Sequence, residues 1–174
     1  SRYRQDDMLD FYLLSRARFF ITSSSGISFL PLLTGTPLIL VNITSIMLNM
    51  DNSIVANPQR DLMIPKKYYN SRTKKFLSLR EQLQFEAKHQ DYDIFYQYNQ
   101  QGIYLVENTA EEINAVVQEM IDRLRGGRIY TSEEEALQAR YRHILLSAVE
   151  KTHMTWVDAR VGSVFLQENP WYLE

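Results

Sequence analysis

The clearest pattern in the chain is a pair of short apolar runs at 19–21 and 38–41, separated by a polar loop and a short apolar segment. Continuous apolar runs of this length are typical of strands that are covered on both faces. The segment between them predicts a helix over 26–34, ending at Gly35. Parallel strands need such a crossover, so the region predicts a strand–helix–strand unit with strands at 18–22 and 38–41.

Further elements follow from helical spacing and capping signals. Thr109 and Glu112 fit a capping box, which predicts a helix from about 110. Ile103–Val106 is a clean short apolar run and predicts a third strand. The other predicted helices cover about 7–16, 78–88, 132–151 and 161–167. The fold class predicted from these elements is α/β, with a small parallel sheet of strands 18–22, 38–41 and 103–106 flanked by helices and a helical carboxyl-terminal part.

Residues 42–75 show no sustained period and are rich in Asn, Ser, Pro and Lys. A stretch this long without clear structure indicates a functional loop or an undetected element. We predict a long basic loop here, which is either a solvated surface or a source of cations for a diphosphate.

Composition narrows the function classes. The chain has 174 residues, 45% of them hydrophobic and 23% charged, as in ordinary globular proteins. The net charge of −2 disfavours nucleic acid as a partner. There is no cysteine and no apolar run near the roughly 20 residues that span a bilayer, and the polar first residues do not have the pattern of a signal peptide. These features predict a cytoplasmic protein, free or peripheral at the inner membrane. The first predicted strand begins already at residue 18, and the chain does not begin with Met. These two features predict a fragment of a longer protein.

The loop after the first predicted strand carries the best candidate site. Thr22, Ser23, Ser24, Ser25 and Gly26 place hydroxyls and backbone N–H groups at the carboxyl end of a parallel strand, where a helix should begin. Such loops bind anions, most often phosphate. The alternative is a simple helix cap at a tight turn, which needs no ligand. Four consecutive hydroxyl residues exceed what one cap uses, and this favours a phosphate or sugar contact.

Other catalytic patterns are weak or absent. His89, His143 and His153 lie far apart and have no second ligand at metal spacing. The Asp91-Tyr92-Asp93 segment has the Asp-x-Asp pattern of metal-dependent glycosyltransferases, but no apolar strand precedes it. There is no Gly-x-Gly-x-x-Gly, Walker loop or Gly-x-Ser-x-Gly motif. We therefore predict no metal site and no resident cofactor.

The ordered set of motifs resembles a family of bacterial glycosyltransferases of the GT-B type. The matching segments run through nearly the whole chain in the same order; they are 10–26, 35–42, 61–66, 102–113, 160–166 and 169–170. The resemblance implies that residues 1–174 are the carboxyl-terminal, nucleotide-sugar-binding part of such an enzyme. An amino-terminal domain of the same protein would complete the cleft, and this part alone is expected to have no turnover.

The resemblance also implies a mechanism, which is sugar transfer from a nucleotide diphosphate sugar to an acceptor hydroxyl. In this family helix dipoles and cations stabilise the leaving diphosphate. No catalytic residue can be named, since a general base would come from the amino-terminal domain. The implied donor-binding residues are Thr22, Ser23, Ser24, Ser25, Gly26, Ile27, Asn42, Arg60 and Lys66.

Two alternatives stay open. The Ser-Gly loop with Pro31 and Gly35-Thr36-Pro37 is also similar to UDP-N-acetylglucosamine 2-epimerases, which share the GT-B architecture. Those enzymes carry a nucleotide-binding Glu three residues after the Gly, whereas this chain has Phe29 there. The second alternative is a non-catalytic α/β interaction module, since fold alone does not fix function.

Overall fold

The computed structural model describes residues 7–23, 27, 29–44, 57, 59–88, 94–148 and 160–174. Seven strands and seven α-helices lie in these ranges. In chain order they are α1 Asp7–Arg16, β1 Phe20–Thr22, α2 Phe29–Thr34, β2 Leu38–Ile43, β3 Leu62–Pro65, β4 Lys67–Asn70, β5 Lys75–Phe76, α3 Leu79–Lys88, α4 Ile94–Gln100, β6 Ile103–Val106, α5 Ala110–Leu124, α6 Ser132–Ala148, β7 Arg160–Val161 and α7 Ser163–Glu168. A short 3₁₀ helix, Pro170–Leu173, follows α7.

The larger sheet has four parallel strands in the order β1-β2-β3-β7. Ile21 of β1 is in register with Ile39 of β2, as the strand–helix–strand prediction requires. The run Leu38–Val41 is buried on both faces, which explains why it lacks polar alternation. The α/β class and the parallel sheet flanked by helices are thus confirmed.

A second, smaller sheet is antiparallel, in the order β5-β4-β6. The prediction that 103–106 belongs to the parallel sheet is therefore wrong: the strand forms, as β6, but it pairs with β4, with Tyr69 opposite Tyr104. Of the two predictions for 42–75, the undetected element is the one that the structure shows and the long loop is wrong, since β3, β4 and the start of β5 lie there. Residues 45–56 and 58 of that loop lie outside the described residues.

Several helix boundaries agree with their predicted signals. Thr109 Oγ1 accepts from the Glu112 N–H and Glu112 Oε2 accepts from the Thr109 N–H at 2.8 Å, so the capping box that starts α5 is confirmed. Gly35 follows α2 with φ +72, a left-handed conformation that favours glycine. Helix α7 covers 163–168, close to the predicted 161–167.

Two hydrophobic clusters correspond to the two sheets. The larger cluster surrounds the parallel sheet, and the smaller one packs under the antiparallel sheet. Helix α3 joins them, because its Leu79 and Leu83 lie in the larger cluster and its Phe85 lies in the smaller one. Strands β3 and β4 belong to different sheets but are separated by one residue, Lys66.

In the described part of the chain, no helix has both the length and the apolar composition needed to cross a membrane.

Candidate functional site

Three consecutive parallel strands end at one edge of the larger sheet, which we call the carboxyl edge. Thr22 and Ser23 lie at the end of β1, Asn42 and Thr44 at the end of β2, and Lys66 directly after β3. Ser23 is exposed, and Thr22, Asn42 and Lys66 are half-buried. Because ligands of open parallel sheets bind at this edge, these residues form the candidate site.

Ser24, Ser25 and Gly26, the centre of the predicted Ser-Gly loop, lie outside the described residues. Ile27, the remaining residue of that segment in the predicted set, lies in a 3₁₀ turn and is exposed. Of the hydroxyl groups in this loop, the Thr22 Oγ1 donates to the Ser23 carbonyl oxygen at 3.0 Å.

Asn42 is held by a reciprocal pair of hydrogen bonds to Asn108. The Asn42 N–H donates to Asn108 Oδ1 at 2.6 Å, and the Asn108 N–H donates to Asn42 Oδ1 at 2.6 Å. The Asn108 side-chain amide also donates to the Pro65 carbonyl oxygen at 2.8 Å. Asn42 has φ +54, a left-handed conformation that Asn tolerates better than most residues. Asn108 therefore ties β2, β3 and the start of α5 together at the carboxyl edge.

Lys66 supplies the positive charge of this edge. Its Nζ lies 2.5 Å from Glu107 Oε1, and the Glu107 side chain is 64% exposed. The Lys66 side chain is only 18% exposed, so the pair joins a half-buried ammonium group to an exposed carboxylate. A phosphate that binds Lys66 displaces a carboxylate that is already largely in contact with water.

Arg60 does not belong to this group. It precedes β3, and its guanidinium makes two 2.8 Å hydrogen bonds to the carboxylate of Asp61. Asp61 Oδ1 also accepts from the Leu38 N–H at 2.9 Å, at the beginning of β2. The hydrogen bond from Arg60 to Asp61 is the main cause that raises the Arg60 pKa. Arg60 thus closes the amino edge of the sheet, opposite the predicted donor site.

Sequence reasoning did not identify Asn108 and Glu107 as parts of this edge. Both residues lie between the apolar run 103–106 and the Thr109 cap, so the sequence does place them at the end of a strand. It does not show which edge of which sheet they reach. The contact with Asn42 spans 66 residues along the chain and has no local signature.

A buried carboxylate at the fourth strand of the sheet is already satisfied. Glu119 Oε2 accepts from the Ser163 N–H at 2.7 Å, and Glu119 Oε1 accepts from the Tyr130 hydroxyl at 2.9 Å. Burial, and then the charge of Glu119, raise the pKa of Tyr130 to about 12. Glu119 thereby fixes the start of α7 and serves the fold rather than a ligand.

Among the residues that the structure describes, no three His, Asp or Glu side chains form a group that could hold a metal ion. His143 is exposed on α6. His89, His153 and the Asp91–Asp93 pattern lie outside the described residues.

A four-stranded parallel sheet with flanking helices places this chain in the Rossmann-like α/β class. Searches of known protein-family models, curated proteins and solved structures gave no match. The functional argument therefore depends on the residues themselves.

Proposed function

We propose that the chain is the donor-binding region of a glycosyltransferase, and that its carboxyl edge binds the diphosphate of a nucleotide sugar. The observation that carries the proposal is the convergence of β1, β2 and β3, each of which ends in polar residues at one edge. One of these residues is Lys66, whose counter-ion Glu107 is largely exposed.

The chemistry of the edge suits a diphosphate. An ammonium group makes charge-assisted hydrogen bonds to phosphate oxygens, and hydroxyl groups of the β1 loop add neutral donors. Phosphate binding beyond the carboxyl ends of parallel strands is the common use of this architecture. Stabilising the diphosphate as it leaves is the contribution that such a region makes to glycosyl transfer.

The transfer step itself is assigned to the complete enzyme. The resemblance to GT-B glycosyltransferases supports a second Rossmann-like domain across a cleft, with the acceptor and a general base on that side. On this proposal the present chain supplies donor affinity and leaving-group stabilisation, and it has no turnover on its own.

Isothermal titration of UDP, GDP and ADP against the intact protein tests the proposal. We expect at least one nucleotide to bind, and Lys66→Ala to weaken it tenfold or more. A hydrogen bond to a charged group contributes about 1.5–3 kcal/mol, and 1.4 kcal/mol corresponds to a factor of ten.

Arg80→Ala is the matched control, because Arg80 is an exposed cation on α3 and is not one of the residues at the carboxyl edge. Equal losses in both variants would reveal a general charge effect and contradict the proposed site. Absence of binding by all three nucleotides would favour the interaction module. If a nucleotide binds, product analysis with its sugar derivatives separates transfer from 2-epimerisation.

A further inference from the structure

Helix α1 exposes an unusual amount of apolar surface. Five of its ten residues are large apolar or aromatic residues that are exposed; they are Met8, Leu9, Phe11, Tyr12 and Leu13. Among the described side chains of the helix, only Leu14 is buried. A helix that is apolar on most sides is normally covered on most sides. Part of the cover of α1 is therefore not supplied by the described residues of this chain.

The exposed apolar surface continues from α1 to β1. With about 3.6 residues per turn, Met8, Leu9 and Tyr12 lie on the side of α1 away from Leu14. Leu13 borders a shallow pocket of about 340 Å³, which Ile27 also lines. Together with Ile21 of β1 these residues form what we call the α1–β1 patch; its members are Met8, Leu9, Phe11, Tyr12, Leu13, Ile21 and Ile27, and each is 40–75% exposed.

The α1–β1 patch has the extent of a protein interface. A fully exposed large side chain presents roughly 200 Å². At their exposed fractions, the seven residues together present on the order of 700 Å². The largest apolar patch on a typical monomer covers about 300–600 Å², and a standard interface buries about 800 Å² per partner. The patch is thus close to what a stable dimer needs.

Strand β1 adds backbone hydrogen-bonding groups to the patch. It is the outer strand of the parallel sheet, and no described strand lies beyond it. The Phe20 N–H donates to the Pro37 carbonyl oxygen at 2.8 Å, on the side of β2. Because the backbone groups of successive strand residues point to opposite sides, the N–H and C=O of Ile21 point away from β2. An open edge of this kind pairs readily with another strand.

We propose that the α1–β1 patch joins two copies of this chain around a two-fold axis. The two β1 strands pair antiparallel at Ile21, and the two α1 helices pack side by side. Only residues 17–19 connect α1 to β1. Counted from this connection, four helical residues rise about 6 Å and two strand residues rise about 7 Å. Leu13 and Ile21 therefore lie at a similar height, and one axis can relate both contacts.

The charges on α1 favour a second copy over other occupants. Asp10 and Arg16 are both exposed, and each lies three residues from Leu13. Antiparallel packing about Leu13 places Asp10 of one copy beside Arg16 of the other, as a self-complementary two-fold interface requires. A bilayer would leave the outward backbone groups of Ile21 unsatisfied, and anionic headgroups would repel Asp10.

Sedimentation equilibrium of the intact chain measures the association. We expect a dimer with a dissociation constant in the micromolar range or tighter, as interfaces of this size give. Leu9→Glu should weaken the dimer at least tenfold, because it buries an unpaired charge. Leu146→Glu is the matched control and should have no effect, since Leu146 lies on α6 and is 51% exposed, against 53% for Leu9.

A charge exchange tests the pairing of the helices. Asp10→Arg and Arg16→Asp should each weaken the dimer about fivefold or more, because each change acts twice in a two-fold dimer. The double variant should recover most of the loss, since it restores unlike charges. Amide hydrogen exchange at Ile21 should slow as the protein concentration rises through the dissociation constant.

Circular dichroism checks that each variant is folded. A chain that remains monomeric at millimolar concentration overturns the proposal. A dimer that neither Leu9→Glu nor the charge exchange affects also overturns it, because the interface would then lie elsewhere. Vesicles of phosphatidylcholine and phosphatidylglycerol form a further arm, and their binding by a monomeric chain would assign the patch to a bilayer instead.

Discussion

At the scale of single residues, capping carboxylates fix the helices that frame the sheet. Glu134 Oε2 accepts from the Thr131 N–H at 2.8 Å, and the Glu134 N–H donates to Thr131 Oγ1 at 3.2 Å. Arg128 also donates to the Glu134 carboxylate. A buried acid with this many donors stabilises the start of α6 only while it is ionised.

This residue predicts an acid-dependent stability. Burial by itself would raise the Glu134 pKa, but the Thr131 N–H and the Arg128 guanidinium outweigh it, so the pKa lies below the ordinary 4.5. A carboxyl group with a lower pKa in the folded state contributes stability above its unfolded pKa and loses it as the pH falls through the folded value. Glu134→Gln should therefore lose less free energy of unfolding between neutral pH and acid than the unchanged protein.

Urea denaturation across that pH range measures the effect. Glu133→Gln is the control, because Glu133 is the neighbouring acid of α6 and is exposed. If Glu134→Gln keeps the full acid dependence, the stabilising role of the ionised carboxylate is refuted.

At the scale of elements, local signals identified most elements but not their partners. Thr109 with Glu112, and Ser78 before α3, mark their helices by contacts within three residues, so the sequence reveals them. The 103–106 strand is equally evident, yet its partner β4, Lys67–Asn70, reads Lys-Tyr-Tyr-Asn and does not alternate between polar and apolar residues. Pairing depends on contacts far apart in sequence, which single-sequence patterns do not encode.

The same limit applies to the candidate site. The strand–helix–strand pattern predicts the polar residues at the ends of β1 and β2, and the 61–66 segment of the family resemblance includes Lys66. The sequence does not predict that Arg60 lies at the opposite edge, because this depends on where β3 begins. Only the positions of Leu62 and Asp61 in the sheet show that Arg60 faces the amino edge.

The junction of β7 and α7 gives a packing prediction. A Cβ atom at Gly162 would lie 3.0 Å from Ile64 Cγ2 and 3.3 Å from Val116 Cγ2. Gly162→Ala should therefore destabilise the protein by about 1–3 kcal/mol, the usual cost of overpacking a tight core. Thermal and urea denaturation measure the loss.

Gly127→Ala is its control, because a Cβ there meets only the Asp122 carbonyl oxygen at 4.0 Å. An equal loss of stability in the two variants would show that steric contact at β7 is not the cause.

At the scale of the whole molecule, α3 contributes side chains to both hydrophobic clusters, and we expect it to couple the unfolding of the two sheets. Leu79 and Leu83 pack in the larger cluster, and Phe85 packs in the smaller cluster beside Tyr98. Stacking of Phe76 on Trp171 adds a second link between them, because Trp171 packs against the larger cluster. Unfolding of one cluster should therefore expose the other.

Leu83→Ala tests this coupling. Leu83 is fully buried, so its truncation should cost about 2–5 kcal/mol and speed amide hydrogen exchange in β2 and in β6 together. Leu33→Ala, at a position 78% exposed, should change neither. Faster exchange confined to one of the two strands would show that the sheets unfold independently.

Only Lys66 separates β3 from β4, and this restricts where related sequences can gain or lose residues. Lys66 donates its N–H to the Ile43 carbonyl oxygen at 2.9 Å, and Lys67 already pairs with Val106. An extra residue between β3 and β4 would break one of these two backbone contacts. Related sequences should therefore show insertions and deletions at the turn 71–74 and keep a constant length from 62 to 70.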